Sequence, residues 1–152
     1  MVLKNYSNYQ KISLFILYFI FIILSFTPFV TNTGTITVKI SGVGAQYILG
    51  DNFTECPDSI YLNNELKNID GNDCRIINIP EEGPEENTIK IGFNRYIYDL
   101  KGMFANLSNI LEVDFTDFDS TSVLLMRDMF MNCVSLTSIK LSNLNTASVL
   151  DI

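Results

Sequence analysis

The chain has 152 residues, 47% hydrophobic and 18% charged, with eight glycines, four prolines and three cysteines, which excludes a disordered chain, a Gly/Pro linker and a dense disulfide scaffold. No histidine is present, which removes the commonest general base, the Ser-His and Cys-His nucleophile pairs and most catalytic zinc sites. The net charge is −7, and beyond residue 11 only 8 basic residues face 17 acidic ones, a balance that repels phosphate and anionic headgroups, so no nucleic-acid partner is expected.

Residues 1–11 are polar and carry Lys4 and Lys11. Ile12 to Phe26 is then apolar apart from Ser13 and Ser25, and Thr27-Pro28 follows. This is the charged start, apolar middle and polar exit of a secretory signal. The run is shorter than the roughly 20 residues of a transmembrane helix, and Pro28 breaks the helix behind it. Thr31 and Thr33 form the best small pair for cleavage, so residues 1–33 are expected to be a signal peptide. An uncleaved signal anchor and a buried core helix are the alternatives. Both export readings predict a secreted or cell-surface body that meets a membrane only through this segment, and only if it stays uncleaved.

The periodicity then changes. Thr35 to Ile40 alternates, with Ile36, Val38 and Ile40 on one face, as a half-buried strand does. Tyr47–Leu49, Ile60–Leu62, Arg75–Ile79 and Ile89–Phe93 are further strand candidates, separated by turn-rich stretches such as 70–73. Residues 34–93 are therefore expected to form a small β-rich module. Gly42-Val-Gly44 follows a strand, but Tyr47 stands where a dinucleotide loop needs its third glycine, so a plain turn is expected and no cofactor. Glu81, Glu82, Glu85 and Glu86 lack the spacing of a Ca²⁺ loop and read as a solvated acidic turn. Cys56 and Cys74 are the candidate disulfide, the alternative being two buried thiols. Asn52-Phe-Thr54 and Asn106-Leu-Ser108 are N-glycosylation sequons, as is Asn5-Tyr-Ser7 in the leader.

Residues 94–152 repeat. A shift of 26 places Ile97, Leu100, Met103, Phe104 and Leu107 on Val123, Met126, Met129, Phe130 and Cys133. It also places Ile110, Val113, Phe115 and Phe118 on Leu136, Ile139, Leu141 and Leu144, and every pair stays apolar. The first stripe has the spacing of one face of a short helix, with Ser122 as a candidate N-cap for its second copy. Leu136, Ile139 and Leu141 have the rhythm of a short strand. A helix plus a strand per unit predicts an α/β repeat: a short leucine-rich-repeat solenoid preceded by the β-rich module and the signal sequence. Two units are complete and a third is cut short at Val149-Leu-Asp-Ile152, so the edge left by Leu136, Ile139 and Leu141 is expected to lack its cover. Cys133 and the Met/Phe stripe read as core.

Met129-Phe-x-x-Cys-x-x-Leu-x-x-Ile-x-Leu-Ser-x-Leu-x-Thr146 resembles the BspA-like leucine-rich repeat of bacterial and protist surface proteins. The preceding unit departs from that pattern with Leu107 in the cysteine place, and Leu144 stands where phenylalanine is usual. The resemblance implies a secreted or surface-displayed protein linked to adhesion or protein binding. Recognition through the residues beside the inward ones, Thr137, Ser138, Lys140 and Ser142, is the expected function. The expected partner is a protein or cell-surface component, and no enzyme, metal or cofactor is expected. The alternatives are a structural surface-coat component without a specific ligand, and a secreted hydrolase using carboxylates such as Asp114, Asp117 and Asp119.

Overall fold

The computed structural model describes residues 34–69 and 73–151. The leader 1–33 lies outside the described residues, as does most of the expected turn at 70–73. The alternating stretch after Gly34 is the central strand of the molecule, β1 (Thr35–Ser41). It buries Ile36, Val38 and Ile40 and half-exposes the residues between them. Seven more strands follow: β2 (Gly44–Tyr47), β3 (Ser59–Leu62), β4 (Glu65–Lys67), β5 (Ile76–Ile79), β6 (Glu86–Gly92), β7 (Ile110–Asp114) and β8 (Ser138–Lys140). Six of them form one mixed sheet in the order β4-β3-β6-β1-β7-β8, while β2 and β5 pair separately. The pairs β3–β4, β3–β6, β6–β1 and β1–β7 are antiparallel, and only β7–β8 is parallel.

The fold is all-β, which corrects the expected α/β repeat: the described residues contain no helix and form no helix-and-strand solenoid. The two stripes expected to be helical, 97–107 and 123–133, are instead arcs of consecutive turns. The backbone shows why. In the first arc, Met103, Ala105 and Leu107 N–H groups close turns onto Leu100, Gly102 and Phe104 carbonyls. The alternate N–H groups, on Leu100, Gly102, Phe104 and Asn106, leave the arc and donate to Leu125, Arg127, Met129 and Met131 carbonyls. A helix would keep all of these bonds internal. Residues with positive φ make the alternation possible: Gly102 and Asn106 in the first arc, Asp128 and Asn132 in the second. Such residues interrupt a right-handed helix. An apolar residue every third or fourth position fits a run of turns as well as it fits a helix face.

The 26-residue offset seen in the sequence is the offset at which these segments lie side by side. Val113 pairs with Ile139 across β7–β8, and Asp99 bridges Leu125, which in turn bridges Asp151. The stretches 34–93 and 94–152 share one sheet and one core, because β1 sits between β6 and β7. A line of phenylalanines runs through that core. Phe53 meets Phe93 edge-on at 6.4 Å, Phe93 meets Phe118, Phe118 meets Phe115, and Phe115 meets Phe104. Phe104 finally stacks on Phe130 at 5.7 Å with the rings 14° apart. Each such contact adds a modest geometric preference to a large buried area.

The two ends of the repeated segment differ. The first arc is covered by residues 48–53: Ile48, Leu49 and Phe53 are buried, and Gly50 N–H donates to Met103 C=O at 2.7 Å. Gly50 has to be glycine, since a Cβ there would lie 2.3 Å from the Gly102 carbonyl oxygen. Cys56 and Cys74 are joined by a disulfide, which ties the chain before β3 to the chain before β5.

Candidate functional site

The second arc and β8 form the other end, where nothing among the described residues performs the covering that 48–53 give the first arc. Met103, Phe104, Phe115 and Phe118 are at most 2% exposed. Of their partners 26 residues on, Met129 is still buried at 6% exposure, but the other three are not. Phe130 and Leu144 are half-buried, Leu141 is 47% exposed, and beside it Ile139 is 38% exposed. Met126, Met129, Phe130, Met131, Leu141 and Leu144, with Asp128 and Thr146, line an open cleft of about 530 Å³ that is mainly apolar.

The rim of this cleft has a chemical polarity. By the alternation of the first arc, the N–H groups of Met126, Asp128, Phe130 and Asn132 should point to the next segment. Met126 N–H does so, donating to Asp151 C=O at 2.8 Å. Those of Asp128, Phe130 and Asn132 have no acceptor among the described residues. The arc therefore ends in a row of free donors above an apolar floor. Beside it lies β8, an edge strand.

The four residues expected to form the binding face are all exposed, but two are occupied within the protein. Thr137 Oγ1 donates to Leu111 C=O at 3.0 Å. Lys140 Nζ pairs with Asp114 Oδ2 at 2.9 Å, and each raises the other's preference for the charged form. Ser138 and Ser142 flank Ile139 and Leu141 on β8 and just past it. Of the apolar residues that line the cleft, Met126, Met129 and Phe130 belong to the stripe expected to be core, whereas Leu141 lies on the edge expected to lack its cover.

Of the carboxylates expected as the hydrolase alternative, Asp114 and Asp119 hold turns, and the Asp117 carboxylate is exposed. Hydrogen bonding from Thr116, then from Lys140, holds the Asp114 carboxyl at about 2, so at neutral pH it has no proton to give as a general acid. Asp119 is lowered by its bonds from Thr121. Asp114 and Asp119 each accept the N–H two residues on, the geometry of an Asx turn. Glu81, Glu82 and Glu85 are exposed between β5 and β6, and Glu86, also exposed, opens β6. Gly42 has positive φ in the turn between β1 and β2, and Gly44 has positive φ where β2 begins. Burial pushes the Cys133 thiol up, and its Sγ contacts the Phe104 carbonyl oxygen at 3.0 Å.

Of the two sequons among the described residues, Asn52 and Asn106 are both exposed. Asn106 Oδ1 accepts from Asn132 Nδ2 at 2.9 Å, a side-chain rung at the same 26-residue offset.

No family model, curated protein or solved structure matches this chain. What it does has to be argued from its own geometry.

Proposed function

We propose that this is an exported recognition protein that binds a polypeptide partner at its open end, along β8 and the cleft beside it. The observation that carries the reading is the contrast between equivalent positions: the first arc is sealed, while among the described residues the second leaves three backbone donors and a cleft of about 530 Å³ without a cover. Extended chains bind such edges through main-chain hydrogen bonds, with pockets for alternate side chains supplying specificity. The partner this rim suits presents a row of carbonyl oxygens and at least one bulky apolar side chain for the floor. A second copy meeting it face to face brings the same donors along its own arc and satisfies none of them. That disfavours a coat component that self-assembles through this surface.

Export is supported by the charged start and apolar run of the leader and by the Cys56–Cys74 bond, which belongs in an oxidising compartment. The resemblance of Met129–Thr146 to surface repeats linked to adhesion points the same way.

The test is to pan displayed peptides against the full chain. Binders should saturate, should be lost in Leu141→Asp, and should be retained in Leu66→Asp, a control on the exposed β4 at the opposite edge of the sheet. Binders indifferent to Leu141→Asp, or no saturable binder at all, would overturn the proposal.

A further inference from the structure

We propose that Asn52 is a site of N-linked glycosylation. The motif alone is a weak signal, and what strengthens it is the way the surrounding turn is built. Phe53 N–H donates to Gly50 C=O at 3.1 Å, closing a turn over residues 50–53. Both ends of that turn are anchored. Gly50 is bound to Met103 and is packed too closely against the 102–105 backbone to accept a side chain. Phe53 is buried edge-on to Phe93. Asn52 therefore stands at the tip of a held turn, exposed, with its side chain making no hydrogen bond to the described residues. Thr54, whose hydroxyl completes the acceptor motif, is exposed as well, and the intervening residue is not proline.

The two other sequons differ. Asn5 lies outside the described residues. Asn106 has a left-handed backbone, with φ of 65°, and its side chain is engaged with Asn132. Adding a sugar at Asn52 breaks no hydrogen bond and displaces no packed group. In the transfer, Asn52 Nδ2 attacks the anomeric carbon of a lipid-pyrophosphate-linked oligosaccharide, supplied with its transferase by the secretory pathway. The C–N bond forms as the C–O bond to pyrophosphate breaks. The amide proton goes to a base of the transferase, and the lipid pyrophosphate leaves with the electron pair. A glycan here sits at the sealed end, since Asn52 lies against Gly102, and it leaves the cleft beyond the second arc uncovered.

The proposal rests on the export reading for delivery to the transferase, and the experiment separates the two. The full chain is expressed in a eukaryotic secretory host with its own leader and, in parallel, with residues 1–33 replaced by a heterologous cleavable signal. Peptide N-glycosidase treatment in heavy-oxygen water should convert Asn52 to labelled aspartate in the exported protein. Asn52→Gln should abolish that label and leave the urea midpoint of the deglycosylated protein unchanged. An unmodified Asn52 in protein exported behind the heterologous signal overturns the proposal. Retention of the native-leader form inside the cell, beside a labelled Asn52 in the other form, counts against the native export signal and supports the site.

Discussion

Asp114 keeps its charge to about pH 2 because Thr116 and Lys140 both donate to it. Its unfolded value is near 3.9. The folded value is the lower of the two, so the carboxylate contributes stability that is fully present above about pH 4 and is lost as the pH falls toward 2. Asp114→Ala should thus lower the unfolding free energy in urea at pH 6 by about 1 kcal/mol for the lost turn bond, and the gap to the parent should narrow toward pH 2. A gap of the same size at pH 2 would show that packing and not charge is responsible. The phenylalanines allow a sharper comparison. Phe104 is fully buried and Phe130, its stacked partner, is half-buried. Phe104→Ala should cost about 3–5 kcal/mol in urea unfolding, and Phe130→Ala clearly less, because one side of that ring has no protein to lose. Equal costs would mean that the open end is better covered than its geometry indicates.

At the scale of elements, the strands with clean alternation were readable in advance. The expected Thr35–Ile40 is β1 almost residue for residue, and Ile60–Leu62, Arg75–Ile79 and Ile89–Phe93 lie within one residue, or a few, of β3, β5 and β6. Tyr47–Leu49 only touches β2 at Tyr47, because Ile48 and Leu49 are buried past the strand under the first arc. β4 carries no strand signal in the sequence, since Glu65-Leu-Lys67 has a single apolar residue and an exposed face. The arcs were legible as repeats but not as turns: burial alone sets the apolar spacing, whereas the turn geometry lies in Asn106, Asp128 and Asn132 at positive φ. The pairing of β1 with β7 joins residues some seventy positions apart, and no local pattern announces it. The donors of the candidate site were hidden for a related reason, being backbone groups whose exposure depends on what covers the second arc. The disulfide acts at this scale too. It closes a loop with a sequence separation of 18, worth roughly 3 kcal/mol on the chain-entropy account. Mild reduction should lower the urea midpoint accordingly while leaving the β1–β6–β7 amides the slowest to exchange. Loss of protection in those central strands on reduction would show that the bond holds the whole sheet and not one side of it.

For the molecule as a whole, the decisive feature is that the two ends of the repeated segment are unlike. Residues 48–53 seal one, and among the described residues nothing seals the other. Head-to-tail contact between copies needs an exposed front to meet an exposed back, and here the front is occupied by the protein's own chain. Heterologous contacts that do not close are the route to filaments. This architecture therefore limits growth to a single addition: a partner can be received at the open end, but the product offers no new copy of that end unless the partner brings one. The weight-average mass from light scattering should stay at that of the monomer as the concentration rises. Gly50→Glu, which drives a large side chain into the 102–105 backbone and lifts the seal, should remove that limit, and fibrous aggregates should follow. If the parent chain itself formed long polymers, the sealed end would have to be openable in solution.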